Sequence, residues 1–271
     1  MNGKKLRLGL IGKDVSKSTS GQIHTFILRE LGIDCEYEKF SVGAEDFDTA
    51  MRSLLGDFDA FNVTIPYKRD VLEYLDGVDG DALACGAVNT VINATKTGYS
   101  TDGEGFMLML ASWGLAVKGK KTLVLGAGGS GRSVAVALKK AGANVFAYRR
   151  NQEELLEFCE QLGVQAATFP NEGGFDILIN CTGVGMHDTV GISPLPQSAF
   201  SDAETAVDLI YEPKESEFLR LAKAEGLKTL NGAAMLFYQA YYADCLFLNR
   251  KADVAEAKKF YDKYVKENTE V

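Results

Sequence analysis

Thr122-Leu-Val-Leu-Gly126-Ala-Gly128-Gly-Ser130-Gly131 is the stretch whose reading decides the fold. Four apolar or β-branched residues run into glycines spaced G-x-G-x-x-G at Gly126, Gly128 and Gly131, and a helical period follows over residues 130–141. In such a turn the first glycine allows the sharp reversal and the second lets the backbone approach a pyrophosphate. The third lets helix and strand pack closely, and the helix N-terminus turns its N–H groups to the anion. A further strand over residues 144–148 completes a βαβ unit that would hold a dinucleotide on Gly126, Ala127, Gly128, Gly129 and Ser130. A nucleotide-triphosphatase loop fits less well. Arg132 stands where that loop carries Lys, and a guanidinium is no substitute for a compact ammonium against a phosphate.

The strand after the turn ends at Tyr148-Arg149-Arg150, where a protein selective for NAD places an acid on the ribose 2′-hydroxyl. Two guanidinium groups suit a 2′-phosphate instead, so the expected cofactor is NADP.

Strands and helices alternate outward from this unit in both directions, the pattern of an α/β protein with largely parallel sheets. Strands are predicted over residues 7–12, 35–40, 60–64, 175–180 and 205–210, and helices over 22–32, 45–55, 152–162, 233–248 and 252–265. Pro66 sits where a helix can start. The loop-like run 113–119 and the change of character near residue 236 divide the chain. Residues 1–103 and 237–271 are read as one domain, split because terminal helices return to it, and 104–236 as the other.

The 271 residues, 46% of them hydrophobic and 24% charged, allow two domains with real cores. A net charge of −8 argues against a nucleic-acid partner, though not against a nucleotide cofactor. Five scattered cysteines without a C-x-x-C, and only His24 and His187 as histidines, point away from a disulfide framework or a metal site. With no apolar run of the roughly 18 residues a membrane span needs, a cytoplasmic location is expected.

Polar clusters mark the ends of the early strands, where open sheets present ligands: Ser18-Thr-Ser20, Asn62-Val-Thr64-Ile-Pro66-Tyr-Lys68, Gly86-Ala-Val-Asn89-Thr90 and Ser100-Thr101-Asp102-Gly103. Each alone reads as a turn or cap, and Ser20 and Asp102 are candidate caps for the helices that follow them. Together they supply hydroxyls, amides, an ammonium and a carboxylate, an inventory for a small polyhydroxylated ligand.

With Asp208-Leu-Ile-Tyr211-x-Pro213 and Asn231-Gly232-x-x-Met235…Gln239 downstream, these clusters give nearly the whole chain a resemblance to the shikimate dehydrogenase family. The resemblance implies an N-terminal α/β substrate domain and a Rossmann-type, doubly wound NADP-binding domain, with the active site in the cleft. It implies an NADPH-dependent oxidoreductase that reduces 3-dehydroshikimate to shikimate, in the path to aromatic amino acids, as a monomer or homodimer. Lys68 and Asp102 would form the catalytic pair. Ser18, Ser20 and Tyr211 would bind the ring carboxylate, and Thr64, Asn89 and Gln239 the hydroxyls. Leu209, Gly232 and Met235 would border the nicotinamide, with Thr182 also on the cofactor.

The chain departs from the family's common His-Ser-x-Ser-Pro at Lys17-Ser-Thr-Ser-Gly21, and from its Asn-Thr-Asp-Gly at Ser100. Quinate, with one more hydroxyl, is therefore the competing substrate, and NAD the competing cofactor. A short-chain dehydrogenase is excluded because none of the eleven tyrosines has Lys four residues on. The reading outside enzymes is a nucleotide-binding regulatory protein without chemistry, against which Lys68 and Asp102 both stand.

Overall fold

The computed structural model describes residues 5–168 and 173–269. It resolves into two compact units, Met1–Leu108 with Phe237–Val271, and Met109–Leu236.

The first unit is built on a six-stranded sheet. Its elements in chain order are β1 (Leu6–Gly12), α1 (Ser20–Glu30), β2 (Cys35–Ser41), α2 (Phe47–Asp57), β3 (Ala60–Val63), β4 (Gly77–Val78), α3 (Gly80–Cys85), β5 (Thr90–Ile92), β6 (Thr97–Tyr99) and α4 (Thr101–Ser112). The strands lie in the order β2-β1-β3-β5-β6-β4. Central β1 is buried from Leu8 onward, and its alternation sorts the two faces. Ile11 packs with Phe61, Met51 and Leu54 on the α2 side, and Leu8 with Leu28 of α1 on the other.

Two expectations, at Pro66 and at two helix caps, are corrected here. The sheet itself is mixed, because β5 runs antiparallel to both β3 and β6 while its other pairings are parallel. The β5–β6 connection is a short turn, and a parallel pair needs a crossover of a dozen or more residues. No α-helix starts at Pro66. The Ile65–Pro66 peptide is cis, the Tyr67 N–H closes a turn on the Thr64 carbonyl, and the Lys68 carbonyl accepts from the Val88 N–H across the chain. Neither predicted cap forms: Ser20 is the first residue of α1, whose N-cap Thr19 makes no side-chain bond, and Asp102 lies inside α4.

The second unit carries β7 (Lys121–Leu125), α5 (Gly129–Lys140), β8 (Asn144–Tyr148), α6 (Gln152–Leu162), β9 (Gln165–Ala166), β10 (Ile177–Asn180), β11 (Thr205–Asp208), α7 (Glu217–Ala224) and β12 (Lys228–Leu230). All its pairings are parallel, in the order β12-β11-β10-β7-β8-β9. Counted from β7 as strand one, that is the 3-2-1-4-5-6 arrangement of a dinucleotide-binding sheet. The strands β10 and β11, and β7 from Thr122 onward, are buried on both faces, as in a parallel sheet covered by helices. Leu123, Leu125 and Leu178 pack with Phe218, Leu219 and Ala222 of α7.

The chain re-enters the first unit along α8 (Ala233–Phe247) and ends with α9 (Val254–Thr269). Helix α8 is almost wholly buried, with Phe237, Tyr238, Ala240, Tyr241 and Ala243 shut off from solvent. A helix apolar all round belongs inside a core.

Candidate active site

In the first unit the polar residues at the ends of β3, β5 and β6 join into one network. Lys68, in the turn after β3, donates from Nζ to Asp102 Oδ2 at 2.6 Å, and both side chains are largely buried. The other carboxylate oxygen accepts from Asn89 Nδ2 at 2.7 Å. Asn89 is held in turn: the Thr101 N–H donates to its Oδ1 at 2.8 Å and the Thr90 hydroxyl does so at 3.0 Å. Behind Thr90 stand Asn62, donating at 3.1 Å, and Tyr37, whose phenol donates to Asn62 Oδ1 at 2.9 Å. The Thr101 hydroxyl reaches Gln239 Oε1 of α8 at 3.2 Å. Charge-assisted bonds of this length are about twice as strong as neutral ones, so Lys68 and Asp102 are fixed relative to each other.

Helices α4 and α8 meet at Gly105, one turn past Asp102. A Cβ there would stand 2.5 Å from the backbone of Gln239, so only glycine lets α8 bring that amide to Thr101. The structure thus unites Lys68, Asp102, Asn89 and Gln239.

Ser18, Ser20 and Thr64 lie outside that network, with no hydrogen bond to Lys68 or Asp102 among the described residues. The Ser18 hydroxyl donates to Ser20 Oγ at 3.0 Å, and Lys39 Nζ fixes the loop by donating to the Ser16 and Ser18 carbonyls. Thr64 Cγ2 packs where a Cβ on Gly12 would sit, 2.5 Å away. The unusual Gly21 has a local cause, since a Cβ there would be 3.1 Å from the Tyr37 ring.

The second unit holds the remaining candidates at the C-terminal ends of its strands. Gly126 has φ +94°, and a Cβ on it would meet Thr182 Cγ2 at 2.8 Å. A Cβ on Gly131 would stand 2.3 Å from the Gly126 carbonyl oxygen, so this glycine serves packing. Gly128 and Gly129 face open space, and Gly128 caps α5 without a side-chain bond. Next to Ala127 and the half-buried Ser130, the turn is a bare backbone cradle at a helix N-terminus, and it fits a pyrophosphate. Arg149 and Arg150 follow β8, with Arg149 ion-paired to Glu154.

Leu209 and Gly232 touch through backbone: a Cβ on Gly232 would fall 1.9 Å from the Leu209 carbonyl oxygen. Met235 is buried one turn further on, and Tyr211 is exposed beside the cis Glu212–Pro213 bond.

Sequence reasoning met Asp208 only as part of a motif and gave no role to the residue that holds these loops. Asp208, fully buried, accepts from Ser216 Oγ at 2.5 Å, Asn180 Nδ2 at 3.0 Å and the Ile210 N–H at 3.0 Å. Burial pushes its carboxyl upward, against those three donors. Asn180 also accepts from the Thr182 hydroxyl and N–H. It missed likewise the buried pair of His24 Nδ1 and Asp244 Oδ1 at 2.6 Å, which ties α1 to α8. Burial drives the Asp244 carboxyl up, and His24 opposes the shift. No local pattern marks partners 220 residues apart.

A bare glycine turn on a parallel 3-2-1-4-5-6 sheet in one unit, and a Lys–Asp pair in a mixed α/β unit, define a class of two-unit α/β proteins of which one unit has a dinucleotide-binding fold. Comparison with known proteins narrows it. Residues 10–91 match the family model of the shikimate dehydrogenase substrate binding domain, and 121–190 that of NADP oxidoreductase coenzyme F420-dependent. The chain is 38% identical to a shikimate dehydrogenase (NADP(+)) of Thermus thermophilus, over 88% of this chain and 90% of that one. It is 35% identical to one of Methanococcus maripaludis, over 96% and 98%. A Thermus thermophilus crystal structure of the enzyme in complex with NADP(H) and shikimate superposes with a TM-score of 0.87 at 35% identity, covering 95% of this chain and 99% of that one. The chain belongs to the shikimate dehydrogenase family.

Proposed function

We propose that the protein is an NADP-dependent shikimate dehydrogenase, reducing the C3 ketone of 3-dehydroshikimate to the alcohol of shikimate. The observation that carries this reading is the Lys68–Asp102 pair at 2.6 Å, locked by Asn89 beside hydroxyl-binding amides.

NADPH, when bound, supplies the hydride. Lys68 then has two tasks at the ketone oxygen: its ammonium stabilises the developing oxyanion and delivers the proton that completes the alcohol. In the reverse direction the neutral amine accepts that proton. Asp102 points the ammonium and is itself aimed by Asn89, which leaves Lys68 little rotational freedom. Thr64, Asn89 and Gln239 hold the ring hydroxyls. Ser18 and Ser20 hold the carboxylate, and Lys39 shapes their loop from behind.

In the second unit Gly126, Ala127, Gly128, Gly129 and Ser130 cradle the pyrophosphate, and Arg149 and Arg150 the 2′-phosphate. Leu209, Gly232 and Met235 form the wall for the nicotinamide, with Thr182, beside the Gly126 turn, also on the cofactor. The unit of Met1–Leu108 with Phe237–Val271 then acts as the substrate domain and that of Met109–Leu236 as the cofactor domain, where the sequence reading put the first boundary at residue 103. No helix among the described residues is long and apolar enough to cross a membrane. A cytoplasmic monomer or homodimer without nucleic-acid partner is the accompanying reading.

Steady-state kinetics with shikimate and with quinate, each against NADP and NAD, test it. The expected result is turnover of shikimate with NADP at the highest kcat/KM of the four pairs. Absence of turnover with both acids overturns the enzyme reading, and a preference for quinate overturns the substrate. A site that merely has room for one more hydroxyl discriminates only about 10²-fold, so some quinate turnover is compatible with the assignment.

A further inference from the structure

At the end of β8 two opposite signals for the adenine ribose stand together. Arg149 and Arg150 suit a 2′-phosphate, and the carboxylate of Glu154 is held against them. That carboxylate is not a loose surface group. The Glu154 N–H donates to Asn151 Oδ1 at 3.3 Å, and Glu154 Oε1 accepts from Asn151 Nδ2 at 2.7 Å, a reciprocal cap on the first turn of α6. Its second oxygen, Oε2, takes the Arg149 guanidinium. Each oxygen therefore has a donor, and the negative charge is fixed within reach of the residues expected to meet the ribose. Arg150 makes no ion pair among the described residues and is exposed.

Charge and geometry then set a competition. A 2′-phosphate that takes Arg149 must share it with Glu154 or displace it, and it feels the carboxylate as a like charge. A 2′-hydroxyl meets the opposite situation, because an ionised carboxylate only accepts hydrogen bonds and a ribose hydroxyl can donate one. We propose that Glu154 is a specificity-determining residue that tempers NADP preference by occupying Arg149 and serves as acceptor for the ribose 2′-hydroxyl of NAD. Both nucleotides then bind, at a ratio this one carboxylate sets. The inference rests on the reading that this unit binds the dinucleotide with its ribose at Arg149 and Arg150.

The test is equilibrium binding of NADP⁺ and NAD⁺, without substrate, to the full-length wild type, Glu154→Gln and Glu157→Gln. Glutamine keeps the Oε1 acceptor for Asn151, so the cap survives, while the charge is removed and an NH2 donor replaces the Oε2 acceptor that held Arg149. Glu157, one turn on and bonded to Gln161, controls for general surface charge. Loss of a like charge, and of an ionic acceptor, at a half-exposed site each corresponds to about a three-fold change. Glu154→Gln should bind NADP about three-fold tighter and NAD about three-fold weaker, moving the ratio about ten-fold, with Glu157→Gln leaving it within about two-fold. A ratio unchanged in Glu154→Gln, or equal changes in both affinities, overturns the role of Glu154 while leaving the cofactor reading intact. Wild type that binds neither nucleotide overturns both.

Discussion

Gly128 and Gly131 lie three residues apart in one turn, yet the structure assigns them opposite work, and replacing each by Ala separates the two. At Gly131 the new methyl would stand 2.3 Å from the Gly126 carbonyl oxygen and 3.1 Å from its carbon. Both neighbours are backbone, so nothing can swing aside, and the turn must open by roughly 1 Å to reach an ordinary contact. Overpacking of this kind costs about 1–3 kcal/mol, and the better helix propensity of Ala returns up to about 1. The expected net loss is about 1–2 kcal/mol, read as a Tm lower by about 2–8 °C.

At Gly128 the methyl meets nothing, and φ −74°, ψ −176° is open to any residue. Gly128→Ala should melt within a few degrees of wild type. The methyl instead fills the space a pyrophosphate needs, and loss of one or two backbone bonds to phosphate, at about 1.5–3 kcal/mol each, raises the Kd for NADP about 10- to 100-fold or more. Differential scanning fluorimetry gives the first number and fluorescence titration of the nucleotide the second. A Gly128→Ala protein that binds NADP as tightly as wild type, or a Gly131→Ala protein of unchanged Tm, refutes this division of labour.

Lys68→Ala should lower kcat roughly 10²- to 10⁴-fold with a modest change in KM, because its work is done in the transition state; an unchanged kcat removes it from the mechanism. Asp102→Asn trades a charge-assisted bond for a neutral one and should cost about 10- to 100-fold in kcat, measured under the same saturating conditions. Replacing Arg149 and Arg150 together by Gln should raise the KM for NADP at least about ten-fold and leave that for NAD within a few-fold, which initial rates resolve. Asp208 makes a prediction about pH. Its folded-state carboxyl titrates above its unfolded value, so its favourable contribution is complete below the unfolded value and is lost as pH rises through the folded one. Urea unfolding of wild type and Asp208→Asn should therefore show wild type losing ground to the variant as pH rises from about 4 to 7. A difference constant across that range contradicts the burial argument.

What the sequence disclosed was what short-range pattern can carry. Residues 122–125 are an unbroken apolar and β-branched run ending in glycine, and β7 and the turn lie where that run put them. The three-residue strands Thr90–Ile92 and Thr97–Tyr99 are too short to display an alternation, so the antiparallel step they introduce was invisible. Pro66 misled because a proline compatible with a helix start is equally compatible with a turn, and the tertiary bond from Val88 to the Lys68 carbonyl decided the matter. The members of the Lys68 network were legible as polar clusters at strand ends. Their bonding order was not, nor was the Arg149–Glu154 pair, because side-chain direction is settled only once the backbone is placed.

The division of the first unit between the two ends of the chain has a consequence for synthesis. Met109–Leu236 is one continuous stretch and can fold as it emerges. The sheet of β1 to β6 emerges earlier but lacks its innermost helix. Until α8 arrives, Thr101 has no Gln239, His24 is without Asp244, and the apolar face that α8 covers stays open. The oldest part of the chain is therefore the last to be finished, and a shortened chain ending at Leu236 would keep Lys68 and Asp102 but expose that face, making chaperone dependence and aggregation its expected fate.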